Sequence, residues 1–388
     1  MINVLTIGSD RNLFKKESQV RARVSKQGGV FDQLHVVVFS LSETGLKSEK
    51  IAENVWIYPT NSSSRLLYIR DAIALSKKIF FDNNLTFSNT VVSAQDPFEA
   101  GITASFVSGN LKIPLHLQIH TDFLSPFFRR QSLLNRLRVS MARLVLPKAD
   151  GIRVVSERIA ESIKKSDIKL KTNPIILPVF ADFYKISDGT PSFDLHVKYP
   201  NFKSIVLMVG RLSPEKNILS ALNALALVVK KYPNIGMVIV GDGPDKANLI
   251  LRAKNLGIGK NVVFESWQED LVSFYKTANL FVLASNYEGY GLVLIEAAAA
   301  GCPIITTDVG IAREMLGENH EQFIYPVGDE KCLAGKIILL LEDVGLRRKY
   351  SVDLSLWTAN QYFPNIAEYL KRYQKLLEDC LKDERGAK

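Results

Sequence analysis

Short apolar runs alternate with stretches of helical periodicity along almost the whole chain, and the alternation happens twice. In the first half the apolar runs are Ile2–Ile7, His35–Phe39, Val55–Tyr58, Thr90–Ser93, Pro114–Ile119, Gly151–Val155 and Pro174–Leu177. Helical patterns fall between them at Phe14–Ser25, Leu66–Phe81 and from Glu99 onward. Runs that are apolar on both faces suit parallel strands covered by helices, and strict alternation makes the sheet parallel and doubly wound. Between Ala181 and Asn201 the pattern lapses into Pro, Gly, Ser and Asp without periodicity, which marks a linker. It restarts with strands at Ser204–Val209, Gly236–Val240, Asn261–Phe264 and Leu280–Ala284 and helices at Ile218–Lys231 and Leu271–Thr277. The expected class is therefore α/β with two doubly wound domains, at 1–185 and 201–360. Residues 186–200 join them, and 361–388 close the chain with a helix whose apolar residues, Tyr369, Leu370, Tyr373 and Leu377 among them, need a partner.

The formal charge of +9 is unevenly placed. Residues 1–185 hold 26 Lys/Arg against 16 Asp/Glu, and the remainder hold 23 against 24, so the excess lies in the first half. A basic half beside a neutral half suggests that one half meets an anionic surface. No apolar run approaches the roughly 18 residues of a membrane span. The N-terminus reads as a strand, without the basic n-region of a signal peptide. Three cysteines at unrelated spacings (Cys302, Cys332, Cys380) suit a reducing cytoplasm.

In doubly wound sheets ligands bind at the carboxyl ends of strands, so the loops there hold the candidate residues. Gly210 to Asn217 (GRLSPEKN) puts Arg211 and Lys216 around a turn ahead of a helix, a setting suited to a diphosphate. Ala284 to Thr307 reads as loop, helix, cap and strand, with Gly301 ending the helix and Pro303 blocking its continuation. Glu288 in the loop and Glu296 in the helix stand eight apart, and Gly289, Tyr290 and Gly291 offer backbone N–H groups. This is a place for an anion with polyol on either side, although an Ala-rich buried helix with two incidental glutamates has the same pattern.

Five signals in order, GRLSPEKN, IVGDGP, Glu288, Glu296 and Gly310-Ile311-Ala312-Arg313-Glu314, resemble the retaining glycosyltransferases of family 4, most densely over residues 204–316. The first half matches more loosely, through His120 after a strand, Ala149-Asp150, and Val155-Ser156-Glu157. The resemblance implies the GT-B fold, two Rossmann-like domains facing a central cleft, with the final helix returning to the N-terminal domain. It implies a nucleotide-diphosphate sugar as co-substrate, with no other cofactor. Arg211 and Lys216 would hold the diphosphate, Glu288 the sugar hydroxyls and Glu296 the ribose. Gly289, Tyr290, Gly291 and Leu292 would offer backbone to phosphate and sugar, and backbone near Ser266 would hold the base. His120 would reach the transferred sugar from the N-terminal domain, and Ser9 and Asp10 would lie on the acceptor side.

The expected reaction moves a hexosyl group, from GDP-mannose or a UDP-hexose, to a membrane-associated or glycan acceptor in cell-surface polysaccharide or glycolipid synthesis. Cations aimed at the departing phosphate favour that step. No DxD-like pair sits at a suitable loop, so metal is not required. A Glu288 nucleophile is conceivable by analogy with retaining glycosidases, but the resemblance implies front-face displacement. Two other classes compete: an epimerase of the same fold, which would turn over donor without acceptor, and a non-catalytic module binding RNA or lipid through the basic half. Nucleic acid is disfavoured because aromatic residues do not interleave with the basic ones.

Phe123 to Ala149 carries Arg129, Arg130, Arg136, Arg138, Arg143 and Lys148 with no acid, while Leu133, Leu134, Leu137, Met141, Leu144 and Val145 recur at helical spacing. The plain expectation is a leucine face turned to the core and a solvated basic face. The alternative is docking on anionic lipid through Arg129, Arg130, Arg136 and Arg143, with Phe127 and Phe128 at the interface. That reading puts the protein in the cytoplasm, peripheral on the inner face of the membrane, with a polyprenol-linked or other lipid acceptor.

Overall fold

The computed structural model describes residues 1–181, 183–361 and 365–381. They form two units, Met1–Val179 with Pro364–Lys388, and Phe180–Phe363.

The first unit is built on an eight-stranded sheet. Its strands are β1 (Asn3–Gly8), β2 (Gln33–Val38), β3 (Glu49–Ala52), β4 (Val55–Pro59), β5 (Thr90–Ala94), β6 (Leu115–Ile119), β7 (Gly151–Val154) and β8 (Ile175–Ile176), in the spatial order β3-β4-β2-β1-β5-β6-β7-β8. All neighbours are parallel except β3 and β4. The expectation of an all-parallel sheet is thus corrected at one edge. There the half-exposed strand β3 turns straight back onto β4, since a two-residue turn has no room for a crossover helix. Every residue of β1, β5 and β6 is buried, as strands covered on both faces require. The first helix runs over Gln19–Gly28, later than the pattern suggested, because the Ser18 side chain caps it by accepting from Arg21 N at 3.1 Å.

The last helix, Ile366–Cys380, belongs to this unit and packs on β6 and β7 through Tyr369, Leu370, Tyr373, Leu377 and Cys380. Tyr373 Oη accepts from Gln118 Nε2 at 3.0 Å, and Tyr369 Oη accepts from Arg153 Nη2 at 2.8 Å. Lys382 and the residues after it lie outside the described residues.

The second unit has a six-stranded, wholly parallel sheet. Its strands are β9 (Ser204–Val209), β10 (Ile235–Val240), β11 (Val262–Glu265), β12 (Leu280–Leu283), β13 (Ile304–Thr307) and β14 (Ile324–Tyr325), in the order β11-β10-β9-β12-β13-β14. The segment expected to end the first domain and then serve as linker folds into this unit instead, from Phe180 on. Phe183 and Leu195 join its core. Lys276 Nζ donates to the carbonyls of Ser187 and Gly189 at 2.7 and 2.6 Å, and Ser273 Oγ accepts from Ser192 N at 2.8 Å. Side-chain bonds from the helix Val272–Thr277 thus order a segment whose own sequence has no periodicity.

Candidate functional site

The loops at the carboxyl ends of β9 and β12 meet in the second unit. Asn286 N donates to the Glu215 carbonyl at 2.8 Å, which fastens the loop after β12 to the loop after β9. That contact brings Lys216 Nζ to 2.5 Å from Glu288 Oε1, and both side chains are largely buried. Ser285 Oγ donates to the same carboxylate oxygen at 2.6 Å, and the Ser285 carbonyl accepts from Thr307 Oγ1 at 2.6 Å. Glu288 is therefore held from two sides, by a cation and by a buried hydroxyl. Arg211 is exposed beside this pair. Arg211 and Lys216 also border a small cavity over the ends of β9 and β12, with Gly210 and Leu212.

The helix after Glu288 is Leu292–Ala299, with Gly291 at φ 87° as its first flanking residue. Gly310 is forced by its neighbour: at φ 53° a Cβ there would stand 2.2 Å from the Tyr290 carbonyl oxygen, which accepts from Ile311 N at 3.0 Å. This close approach fixes the loop Gly289-Tyr290-Gly291 whose backbone the sequence singled out. Glu296 is one turn into the helix. Burial raises its carboxyl above the ordinary range, against the opposing effect of a 2.8 Å bond donated by the buried Tyr275 hydroxyl to Oε2. Tyr275 takes only one carboxylate oxygen.

Ser266 follows β11, which pairs with β10. Asp242 at the end of β10 orders this loop, since its Oδ2 accepts from Trp267 N at 2.9 Å and its Oδ1 pairs with Lys246 at 2.6 Å. Trp267 itself is exposed. Asp242 thus orders the loop after β11.

In the first unit His120 stands just past β6 and lines a crevice of about 240 Å3 together with Asp10, Arg23, Gln118 and Arg153. His120 is itself exposed at the rim of this crevice; partial removal of water by the surrounding walls first, and then the positive charges of Arg153 and Arg23, lower its imidazole below the ordinary histidine range. Asp10 Oδ1 accepts from Asn12 N at 3.0 Å and so caps the turn Arg11–Phe14, while Ser9 is exposed in the same loop and does not line the crevice. Arg153, absent from the sequence-based candidates, is the most conspicuous residue here. It is a guanidinium only 3 % exposed. The signal was a lone charge inside an otherwise apolar strand, GIRVV.

The helix Leu133–Val145 corrects the plain expectation for the basic stretch. Asn135, Val139, Ala142 and Val145 face the protein, while Leu133, Leu137 and Leu144 are 78 %, 53 % and 63 % exposed. The residues that pack inward are smaller, which lets the helix lie close to its neighbour Glu99–Leu111. Phe127 is exposed, as a surface role needs, but Phe128 is buried against Phe98, with ring centroids 5.7 Å apart. Arg143 pairs with Asp167 at 2.7 Å, which partly neutralises it, and Arg129, Arg130 and Arg136 are the exposed basic residues around the leucines.

Two α/β units built on parallel sheets of this kind have the GT-B fold. Residues 196–352 match the family described as Glycosyl transferases group 1. It is 27% identical over 265 residues to alpha-monoglucosyldiacylglycerol synthase of Streptococcus pneumoniae, covering 64% of this chain and 58% of that protein. It is 29% identical over 218 residues to the capsular polysaccharide biosynthesis glycosyltransferase CapM of Staphylococcus aureus, covering 53% and 56%. These alignments span a little over half the length of each relative. Among solved structures, Anabaena Alr3699/HepE in complex with UDP-glucose shares the fold, with a TM-score of 0.72, 18% identity, and coverage of 97% of this chain and 100% of that one.

Proposed function

We propose that this protein is a retaining, metal-independent hexosyltransferase that takes its sugar from a nucleotide-diphosphate donor and gives it to a membrane-associated or glycan acceptor. The observation that carries the reading is the junction of two loops in the second unit, where Lys216, Glu288 and Arg211 meet at the carboxyl ends of parallel strands. A fold neighbour has been crystallised with UDP-glucose, and the relatives named above act in glycolipid and capsule synthesis.

In the proposed step the bond between the sugar's anomeric carbon and the phosphate oxygen breaks while a bond to the acceptor oxygen forms on the same face. The departing phosphate takes the acceptor's proton. Arg211 and Lys216 neutralise the diphosphate as its charge grows, assisted by the N–H groups at the start of the helix Leu292–Ala299. Glu288 binds sugar hydroxyls, and Glu296 presents to the ribose the oxygen that Tyr275 leaves open. Neutral His120 serves as a hydrogen-bonding group toward the transferred sugar. Backbone near Ser266 holds the base.

The membrane part of the proposal rests on the outward leucines. Leu133, Leu137 and Leu144 lie on the side of their helix opposite its buried residues, flanked by Arg129, Arg130 and Arg136. An apolar stripe bordered by cations fits the interface of an anionic bilayer at the inner face of the membrane. The test is transfer from UDP- and GDP-sugars to lipid and glycan acceptors in the presence of EDTA, with the anomeric configuration of the product read by NMR. A retained configuration with EDTA present is expected. Inversion, or turnover without acceptor, would refute the reading.

A further inference from the structure

The crevice in the first unit carries an electrostatic imbalance. Its walls come from the helix Gln19–Gly28, the last helix, and the strands β1, β2, β6 and β7, and its charged lining is Arg23, Arg153 and Asp10. Two guanidinium groups therefore face one carboxylate, and that carboxylate already accepts a backbone bond from Asn12.

Arg153 makes the imbalance costly. Among the described residues it bonds only to neutral acceptors: the carbonyls of Leu177 and Pro178, Gln118 Oε1 and Tyr369 Oη, each at 2.8 Å. The rings of Tyr369 and Tyr373 lie 5.8 and 5.6 Å from its guanidinium carbon. These contacts orient the group but bring no negative charge, and a buried cation without a counter-ion is costly. They use four of its five N–H donors. Arg23, on the helix Gln19–Gly28, lines the same cavity.

Pinning the last helix to the sheet would explain the bonds from Arg153 to Tyr369. It would not explain a cavity there, or a second arginine among its lining residues. The rest of the lining includes Val20, Val24, Leu34 and Val36, so the crevice pairs an apolar wall with a cationic end. We infer that the crevice holds an oxyanion of the acceptor, a phosphate foremost, between Arg23 and Arg153, with the acceptor's hydroxyl turned toward His120. The inference rests on the transfer reading and names its acceptor class: an alcohol that also carries a phosphate, either as a soluble phosphate ester or as a lipid headgroup.

The test uses the full chain carrying Arg211→Ala and Lys216→Ala, which removes the cations of the second unit as a competing phosphate site. Binding of inorganic phosphate and glycerol 3-phosphate is measured by thermal shift and titration, with glycerol as the neutral control. Both phosphates should bind and glycerol should not, and adding Arg23→Gln should weaken binding about ten-fold, the effect of losing one charge-assisted contact. Arg23 is exposed on its helix, so this variant keeps the fold even if Arg153→Gln does not.

Sedimentation with phosphatidylglycerol vesicles separates the two sources. Weaker sedimentation of Arg23→Gln assigns the phosphate to a lipid headgroup, and unchanged sedimentation with weaker glycerol 3-phosphate binding assigns it to a soluble ester. Either supports the site. No phosphate binding, or binding indifferent to Arg23→Gln, overturns it. UDP binding by the unaltered chain is followed in parallel: no UDP binding together with phosphate binding at the crevice would break the transfer reading and leave the crevice assignment standing.

Discussion

Two helices, one apolar at nearly every position and one amphipathic, treat their apolar side chains in opposite ways. Leu292–Ala299 in the second unit buries Leu294, Ile295, Ala297, Ala298 and Ala299 beneath the loop that carries Glu288. Leu133–Val145 in the first unit buries an asparagine, an alanine and two valines and leaves its leucines in solvent. The first helix makes the floor of a site whose parts come from its own unit. The second presents an apolar stripe that is exposed among the described residues. Periodicity identifies the faces of a helix, but which face turns inward depends on the space its neighbours leave.

The largest effect should come from cutting the junction above the buried helix. Lys216→Ala should lower kcat/KM for transfer by about 10²–10³-fold, as loss of a group aimed at developing charge does. Glu288→Ala should do likewise, and circular dichroism should show both variants folded. Transfer close to that of the unaltered chain in both would dissolve the contrast between a working helix floor and a docking helix.

On the other side of the comparison, Leu137→Glu with Leu144→Glu should cut sedimentation with phosphatidylglycerol vesicles at least about ten-fold, since each change removes an exposed apolar group and adds repulsion. The midpoint of thermal unfolding should stay the same, because neither leucine packs in the core. A large drop in the midpoint instead would mean that the leucines stabilise the fold. Equal sedimentation with neutral and anionic vesicles would remove the role of Arg129, Arg130 and Arg136.

A smaller effect is expected from Tyr275→Phe. Losing a hydrogen bond to a carboxylate weakens donor binding about ten-fold. The sign of its pH dependence follows from the bond. Burial already raises Glu296, and the Tyr275 bond opposes the rise, so removing the hydroxyl should push the carboxyl higher still. Donor affinity of the variant should therefore fall off at a higher pH than that of the unaltered chain, as titration at several pH values would show.

The smallest effect concerns Asp96, which accepts from Phe98 N and Ala100 N at 2.8 and 3.3 Å at the start of the helix Glu99–Leu111. Burial raises its carboxyl from 3.8 to about 6. The folded state then binds more protons than the unfolded one between those values, so this group's contribution to stability falls as pH rises through that window. Asp96→Asn should flatten the unfolding midpoint between about pH 4 and 6, by roughly 1–2 kcal/mol across the window. An unchanged profile would remove Asp96 as its source.

Much of the second unit was legible because its chemistry is local in sequence. Ser204–Val209 and Ile304–Thr307 are strands over the expected residues, and Glu288, Lys216 and Arg211 lie in loops between recognisable elements. What pairs them is not local: the bond from Asn286 to Glu215 depends on β9 and β12 being neighbours. The first unit was less legible for the same reason. Arg153 acquires meaning only when the last helix, over 200 residues later, lays Tyr369 beside it. The segment 183–199 looked like linker because side chains of another helix hold it, and its own sequence records none of them.

The most direct test of the account is the thermal unfolding midpoint of the unaltered chain, of Lys216→Ala and of Glu288→Ala, each with a panel of UDP- and GDP-sugars. A ligand that binds only the folded state raises the midpoint. The account predicts a rise for the unaltered chain with at least one sugar nucleotide, and little or none for either variant at the same concentration. No rise with any member of the panel, or an equal rise in both variants, would contradict it.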